Sequence, residues 1–432
     1  MKRSLSKSKY IISKGILTTL LLTFLTAPAF TQTSAEDSLF YEATAYLNNG
    51  YYSSAVNSLK KLIELNPNSA EAYGLLGNVY NFKGDYKEAI KMYHKCIKLD
   101  SSAFPIIMNL GNAYIDNGEL DSAIAVHKFL IAKDSMYAGN YINLGDAYMK
   151  KEDIAQAQLC FGNAIRLNNY SSLALVNLAM AYFNQKKYAE AIDKLFLVRN
   201  LDDWYPLLQT RLDYVSTNGK PEFEEWVEKE PNNSEAHYYY AFSLWYTDER
   251  GDAIEELEEA IKLNNKVEKY FLTKAIWLHN EEEYKDAIED CKKCLTLNPD
   301  NWMCQNTLSL CYSYLGDIGG ALTHSKRSVE IDPLVPQSQL LLGEGYIANE
   351  QFKDAVESLN KALDNTIASG VKNPVVYLDL AIAYYKKGDY ENAMNNAMIS
   401  NNMKFAEQKV KQDLERETNQ LITNIQQKMS QK

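Results

Sequence analysis

The sequence contains none of the motifs that mark the common catalytic sites. It has no glycine-rich phosphate loop, no G-x-S-x-G nucleophile elbow and no H-E-x-x-H zinc motif. Its five histidines are scattered along the chain without the spacing of metal ligands. Carboxylates are frequent, but runs such as the one from Glu255 to Glu259 are typical of a solvated helix face. We therefore predict that the protein is not an enzyme and has no catalytic residue, cofactor or metal.

A surplus of positive charge is missing too. The 432 residues carry a formal net charge of −11 at pH 7. Loss of residues 1–29, which hold five basic and no acidic side chains, would take that charge to −16. A surface this negative repels phosphate backbones, and no basic stripe offsets it. We predict that the protein does not bind nucleic acid.

Long apolar runs are absent except in residues 1–29. This segment has a basic front, an apolar core over residues 15–25 and a small-x-small sequence at Ala27-Pro28-Ala29. The core is shorter than the roughly 20 residues of a membrane-spanning helix, and no cysteine follows it that could carry a lipid. We predict a signal peptide cleaved near Ala29 and an exported protein, periplasmic or extracellular. A retained membrane anchor is the alternative.

What the sequence does contain is a repeat. Alanines recur at intervals of 34 residues in two series, and a tenth follows 38 residues after the second series: Ala55, Ala89, Ala123, Ala157, Ala191, Ala253, Ala287, Ala321, Ala355 and Ala393. Twelve residues before each alanine lies a residue no larger than alanine or serine: Ala43, Gly77, Gly111, Gly145, Ala179, Ala241, Ala275, Ser309, Gly343 and Ala381. A fixed period of this length indicates one structural unit copied and stacked.

Within each period, apolar residues follow helical spacing in two runs. One unit shows Tyr73, Leu76 and Tyr80, then Ala89 and Tyr93. The break between the runs often holds a glycine: Gly50, Gly84, Gly118, Gly316 and Gly388. We predict that each unit is a pair of helices joined by a turn, with the small residues allowing the two helices to approach closely.

The pattern Tyr73-x-x-Leu76-Gly77-x-x-Tyr80 followed by Ala89-x-x-x-Tyr93 resembles a tetratricopeptide repeat. The resemblance covers residues 36–403. It implies an all-α solenoid, a right-handed superhelix of about ten helix–turn–helix units, with function spread along a surface. The repeats leave no stretch for a separate catalytic domain.

The predicted organisation has an irregular middle and a distinct end. After the signal peptide come five repeats in residues 36–199, a short degenerate repeat in 200–233, five repeats in 234–403, and a capping helix in 404–432. Capping would cover the hydrophobic face of the last repeat; a coiled-coil contact with a partner is the alternative.

The degenerate repeat is predicted to contain two short helices, Trp204 to Val215 and Pro221 to Lys229, around a turn. We expect the superhelix to change direction there. Four aromatic residues in this stretch either patch an imperfect junction or mark a partner site: Trp204, Tyr205, Phe223 and Trp226.

Four of the six cysteines lie close together in the sequence: Cys291, Cys294, Cys304 and Cys311. The C-x-x-C pair falls in the middle of a predicted helix and not at the helix start, where a redox pair would have a lowered thiol pKa. These cysteines are expected to be buried small hydrophobic residues. A disulfide between neighbouring units stays open, whereas the spacing argues against a zinc site.

We number each repeat so that its period alanine, such as Ala89, is position 20 and the small residue twelve earlier is position 8. In tetratricopeptide repeats the first helices line a concave face, and positions 2, 5, 9, 12 and 13 commonly contact a ligand. In the N-terminal half, polar residues there could hydrogen-bond an extended peptide: Asn78, Asn81, Asn112, Asp116 and Asp146. In the C-terminal half these positions form an apolar and aromatic strip: Val176, Met180, Phe183, Tyr238, Phe242, Trp245, Leu272, Ile276, Leu310, Tyr314, Leu340, Ile347, Leu378, Ile382 and Tyr385. A strip facing solvent would need a partner; the alternative is that the chain itself covers it.

These features predict a non-enzymatic scaffold or adaptor that binds a protein, as a peptide or an amphipathic helix, in the concave groove. The alternative function is a structural subunit of a cell-envelope assembly or a secretion complex. No small-molecule substrate is expected, and membrane contact only if the signal segment is retained. Relatives that hold acidic C-termini carry basic side chains at position 5, where this chain has Phe40, Gly74, Met108, Ile142 and Val176. Binding of such tails is disfavoured.

Overall fold

The computed structural model describes residues 35–201, 205, 208–368, 373–403 and 408–430. The predicted signal peptide and Trp204 lie outside these residues. All regular secondary structure in the described part is α-helical, in 22 helices. None of these helices is long and apolar enough to cross a membrane. Contacts divide the chain into two compact units, Met1–Asn169 and Tyr170–Lys432, here called unit 1 and unit 2.

Unit 1 consists of four helical hairpins. Each hairpin packs a first helix against a second, and each second helix packs against the first helix of the next hairpin. In chain order the helices are α1 (Ala35–Asn48), α2 (Tyr52–Leu65), α3 (Ala70–Lys83), α4 (Tyr86–Leu99), α5 (Phe104–Asn117), α6 (Leu120–Lys133), α7 (Ala138–Lys150) and α8 (Ile154–Leu167).

Unit 2 continues the same alternation with two exceptions, a single long helix α11 and the terminal helix α22. Its helices are α9 (Ser172–Asn184), α10 (Tyr188–Leu201), α11 (Leu208–Lys229), α12 (Ser234–Tyr246), α13 (Arg250–Leu263), α14 (Glu268–Asn280), α15 (Tyr284–Leu297), α16 (Trp302–Tyr314), α17 (Ile318–Ile331), α18 (Pro336–Ala348), α19 (Phe352–Ala368), α20 (Pro374–Lys387), α21 (Tyr390–Asn401) and α22 (Gln408–Ser430). The predicted all-α solenoid of ten hairpins is confirmed.

The turn inside every hairpin has the same backbone geometry. Position 15 of each of the ten units adopts a positive φ of 59–87°, the left-handed region. Five units place glycine there, as predicted, and five place another residue: Glu152, Lys186, Asp248, Glu282 and Glu350. Because a side chain in this region costs free energy, the latter five turns are strained.

The small residues predicted at positions 8 and 20 do lie at the contact between paired helices. All ten alanines of the period are buried, and so are the ten small residues twelve positions earlier. A Cβ added to Gly77 or Gly145 would collide with the ring of Tyr93 or Phe161 from the second helix of the same hairpin. This close approach brings the two helices into contact. The small side-chain volume that the contact requires explains why small residues recur at these positions.

The first helices of neighbouring hairpins also touch one another directly. Such contacts join α1 to α3, α3 to α5 and α5 to α7 in unit 1, and α14 to α16, α16 to α18 and α18 to α20 in unit 2. Neighbouring second helices are further apart. In each unit the first helices therefore form the inner, more tightly curved face.

The stretch after α10 differs from the prediction of two short helices. The structure has one continuous helix, α11, with Pro221 inside it, and the turn predicted at Ser216 to Lys220 is wrong. Gly219 does not break the helix; it lets α11 approach Tyr188 of α10, since a Cβ there would lie 2.9 Å from the Tyr188 Cβ. Phe223 is buried and stacks on Tyr239 of α12, so this aromatic residue patches the junction.

Candidate functional site

The inner face of unit 1 carries a row of polar side chains contributed by α3, α5 and α7. Asn78 is half-buried, and its Oδ1 accepts hydrogen bonds from the Tyr93 hydroxyl at 2.9 Å and from Nδ2 of Asn109 at 3.0 Å. The first bond joins the two helices of one hairpin, and the second links it to the next hairpin. Asn78, predicted as a peptide contact, is thus partly engaged inside the protein.

The remaining polar residues predicted for this face differ in their availability. Asn81 and Asn112 are half-buried, and Oδ1 of Asn81 is buried without a hydrogen-bond partner among the described residues. Asp116 forms an ion pair with Lys150 of α7, at 3.4 Å. Asp146 is half-buried and has interactions of its own. Asn81 and Asn112 are the side chains best placed to contact a ligand.

The strip predicted for unit 2 lies on its inner face, but it is not a continuous surface facing solvent. Seven of its members are buried: Val176, Tyr238, Phe242, Trp245, Leu272, Leu340 and Leu378. Seven are half-buried: Met180, Phe183, Ile276, Leu310, Ile347, Ile382 and Tyr385. Only Tyr314 among the fifteen is exposed, at 64%. The expectation of a solvent-facing strip is therefore wrong for most of these positions.

The cover over this strip is helix α10, which runs beside α12. Tyr239 donates a hydrogen bond to Oδ2 of Asp193 at 2.9 Å. The rings of Phe196 and Phe242 lie 5.6 Å apart, edge to face. Arg199 donates from Nη1 to the Tyr246 hydroxyl at 3.3 Å. Three contacts in the same order along both helices place α10 against positions 6, 9 and 13 of the α12 repeat, where a groove ligand would bind.

Further contacts hold α10 and its hairpin against the far side of the same face. Helix α10 reaches α18. Just before α9, the Tyr170 hydroxyl donates a hydrogen bond to Asp332, and its ring meets that of Trp302 edge to face, 6.4 Å away. The groove of unit 2 is thus filled from within by a helix of the same chain, which is the alternative that the sequence left open.

A signal for this arrangement is present in the sequence of α10. A typical second helix such as α4 buries four residues along one narrow stripe, whereas α10 buries six residues, with Phe196 and Leu201 on opposite sides of the stripe. A wider apolar arc indicates a helix packed on more than one side.

At the other end of the inner face of unit 2, the terminal helix α22 packs against α20 and α21. Leu421 and Ile425 are buried in a cluster with Leu378 and Ala381 of α20. Beside this contact lies a cavity of about 470 Å³ lined by residues of α20 and α22. The predicted cap therefore covers part of the strip as well as the end of the solenoid.

Tetratricopeptide repeat models match five segments of the sequence, residues 38–69, 70–102, 142–200, 270–301 and 314–398, together more than half of its length. The chain belongs to the tetratricopeptide repeat family. Members of this family generally serve as non-enzymatic scaffolds, and the coarse function of this chain is protein–protein interaction. No curated protein sequence matches the chain.

Several solved structures resemble this tetratricopeptide repeat chain at low identity. Cut9–Hcn1 of the APC/C is 13% identical with a TM-score of 0.41, over 89% of this chain and 96% of that one. Yeast Tom70 is 14% identical with a TM-score of 0.41, over 92% and 96%. PilW, a type IV pilus biogenesis factor, is 16% identical with a TM-score of 0.39, over 53% and 91%. Similarities this weak carry no argument about this chain.

The four cysteines of the tetratricopeptide repeats formed by α15 and α16 are all buried. Cys294 and Cys304 form a disulfide between neighbouring repeats, whereas Cys291 and Cys311 are free thiols. Burial raises the pKa of Cys291, and it raises the pKa of Cys311 to about 12, so both thiols stay protonated and unreactive at neutral pH. In the described part of the chain, no group of three or more His, Cys, Asp or Glu side chains could hold a metal ion.

Proposed function

We propose that this tetratricopeptide repeat protein binds an extended peptide segment of a partner protein on the inner face of unit 1. The observation that supports this site is the contrast between the two inner faces. In the described part of unit 1, each helix packs chiefly against helices of its own hairpin and of the adjacent hairpins, and the structure shows no contact there like that of α10 with α12. In unit 2 the equivalent face holds α10.

The chemistry of this face suits a peptide backbone. A backbone in an extended conformation presents both N–H and C=O groups, and an asparagine amide can donate to one and accept from the other. Asn112 supplies such an amide, Asn81, whose Oδ1 is buried, offers its Nδ2 as a donor, and the half-buried Phe82 and Met108 offer apolar contacts beside them. Polar groups would set the register of the peptide, and apolar contacts would supply most of the affinity.

We also propose that the protein works outside the cytosol. The basic and apolar pattern of residues 1–29 supports export. The Cys294–Cys304 disulfide supports it independently, because such bonds persist in oxidising compartments. Expression with and without residues 1–29, followed by fractionation and thiol labelling, tests both points; a reduced, cytosolic protein in the native cell would contradict the proposal.

The site itself is tested by photo-crosslinking in the native host. A photoreactive residue in place of Asn112 should capture a partner, and the same residue in place of Ala125 should not. Ala125 is exposed on α6, a second helix of the same hairpin. Equal yields from the two positions would contradict a site on the inner face.

With the partner in hand, its affinity measures the asparagine contacts. Replacing Asn81 and Asn112 together by alanine should weaken binding about tenfold or more, since each lost hydrogen bond contributes about 0.5–1.5 kcal/mol. Asn57→Ala is the matched control, because Asn57 is exposed on the second helix α2. Unchanged affinity in the double variant would leave the asparagines without a role.

A further inference from the structure

The seat of α22, which is its contact with α20 and α21 at the end of unit 2, leaves space between the helices. Its buried apolar residues are Leu414, Leu421 and Ile425. Between them, Gln420 and Asn424 border the cavity of about 470 Å³ opposite the apolar side chains of α20. Polar side chains over an apolar floor leave space that a better-matched helix would fill.

Charge on the two sides of this seat is mismatched as well. Asp379 of α20 interacts electrostatically with Glu344 of α18 and with Glu417 of α22, and all three groups are acidic. Oδ2 of Asp379 is buried and has no hydrogen-bond partner among the described residues. An unpaired carboxylate oxygen in such a place is costly, and a donor from a ligand would relieve that cost.

The pKa values of the acids also show that their charged forms are unfavourable in this environment. Burial raises the pKa of Glu344 to about 7. Burial also raises the pKa of Asp379 well above its ordinary value, with smaller contributions from Glu344 and Glu417. Arg416 lines the same cavity from α22 and has interactions of its own. Glu344 and Asp379 are thus disfavoured in their charged forms.

We propose that the face of α20 and α21 at the end of unit 2 is a docking site for an amphipathic helix of a partner protein that carries lysine or arginine where α22 has Glu417. In this arrangement α22 is the intramolecular competitor that occupies the site until the partner arrives. The proposal concerns a different surface from the peptide site of unit 1 and does not depend on it.

The expected chemistry of the partner helix follows from α22, the helix of the same chain that occupies the site. Helix α22 shows the apolar spacing that the face accepts, with buried residues at Leu414, Leu421 and Ile425. Glu417 is exposed, but it lies near enough to Asp379 to repel its charge, so a cation at position 417 would replace a repulsion by an attraction. The aliphatic stem of lysine would also occupy cavity volume that glutamate leaves empty.

The test uses the full-length protein and three fluorescent peptides spanning residues 408–430. One peptide has the native sequence, one carries Glu417→Lys, and one carries Glu415→Lys, which has the same net charge with the cation away from the cavity. Fluorescence anisotropy should show the Glu417→Lys peptide binding at least about tenfold more tightly than either of the others.

The Asp379→Asn protein then separates site-specific binding from general attraction to an acidic surface. On this variant the advantage of the Glu417→Lys peptide should fall to within about twofold. Equal affinity of the three peptides for the wild-type protein, an advantage that survives Asp379→Asn, or no binding by any peptide would overturn the proposal.

The effect of a cation at position 417 can also be measured within the full-length chain. In the full-length protein, Glu417→Lys should slow hydrogen exchange of the α22 amides at least about fivefold, because the cation holds the cis helix in place. Glu415→Lys is the matched control and should leave the exchange within about twofold. Equal exchange in both variants would count against a site at position 417, whatever is found for unit 1.

Discussion

Helices α10 and α22 both pack against first helices of unit 2, α10 against α12 and α22 against α20, and they are held there in different ways. Helix α10 meets α12 through a hydrogen bond, an aromatic pair and an Arg–Tyr contact in consecutive order. Helix α22 meets α20 through an apolar cluster beside a cavity, and its Glu417 repels the charge of Asp379. Complementary packing makes α10 part of the fold, whereas the mismatch beneath α22 suits a helix that can be exchanged.

This difference also shows why an apolar inner face in a solenoid does not by itself indicate a free binding groove. The strip of unit 2 satisfies the usual sequence criterion for ligand contact, yet most of its residues contact other parts of the same unit. The stacked pair Trp245 and Trp277, with ring centroids 4.5 Å apart, joins two neighbouring first helices. Such residues stabilise the solenoid, and their removal would damage the fold before it affected binding.

The largest expected effect comes from the α10 contact. Phe242→Ala removes a fully buried ring that touches Phe196, and it should destabilise unit 2 by about 3–5 kcal/mol. Urea unfolding followed by circular dichroism measures this. Phe82→Ala is the matched control, because Phe82 is half-buried on the inner face of unit 1, and its cost should be clearly smaller. Equal costs would mean that α10 is not packed as described.

A second prediction uses His127 of α6 as a titratable group in unit 1. His127 is fully buried, and neither ring nitrogen has a hydrogen-bond partner among the described residues. Burial lowers its pKa from 6.5 to about 4. The unfolded chain therefore binds a proton before the folded one, and stability is lost as pH falls from about 6.5 towards 4, by up to about 1.4 kcal/mol per pH unit.

The measurement is thermal unfolding of wild type and His127→Phe between pH 7 and pH 4. The next repeat places Phe161 at the equivalent position, so phenylalanine fits the site. The variant should lose less stability on acidification than wild type, and hydrogen exchange should locate the difference in α5 and α6. Identical acid sensitivity would rule out His127 as its source.

The acids beneath α22 should respond to pH with the opposite sign. Glu417 of α22 contributes to the raised pKa of Asp379, and the pKa of Glu344, which interacts with Asp379, is raised from 4.5 to about 7 in the folded protein, so the α22 contact is favoured at low pH. That stabilisation is lost as pH rises from about 4.5 through 7. The α22 amides should exchange about tenfold faster at pH 8 than at pH 5.5, after correction for the intrinsic rate.

Helix α10 provides the internal control for this prediction, since no such acid cluster underlies its contact with α12. Its corrected exchange should change little over the same range. Replacing Glu344 with glutamine and Asp379 with asparagine should flatten the response of α22. A response of equal size in α10 and α22 would indicate a general loosening of unit 2 and not a property of the acids.

The sequence predicted the repeat far better than it predicted the surfaces. Ala89, Gly77 and Tyr93 recur at fixed spacing because each pair of helices must solve the same local packing problem, so the hairpin can be inferred from one unit. The cover over Phe242 depends on Asp193 and Arg199, more than 40 residues earlier, and no local pattern encodes that contact. Glu344, Asp379 and Glu417 were not singled out for the same reason: they come from three separate helices.

The irregular stretch shows where local signals mislead. Gly219 and Pro221 are strong turn formers in sequence, yet α11 continues through both. The contact between α11 and Tyr188 requires a residue without a side chain at position 219. This contact outweighs the low helix preference of glycine. Tertiary contact decided the outcome, and the prediction of two short helices was wrong for that reason.

The smallest expected effect concerns the turn that leads into α10. Lys186 has φ 59° at the position where five other hairpins have glycine. Lys186→Gly should stabilise unit 2 by about 0.5–1 kcal/mol, since glycine adopts this geometry without a Cβ penalty, although its greater freedom in the unfolded chain offsets part of the gain. Lys187→Gly, at the next position in the same turn, is the control and should stabilise nothing. Because the gain arises in the α9–α10 turn, peptide exchange at the α22 seat should be unaffected; a change there would mean that the two ends of the inner face are coupled.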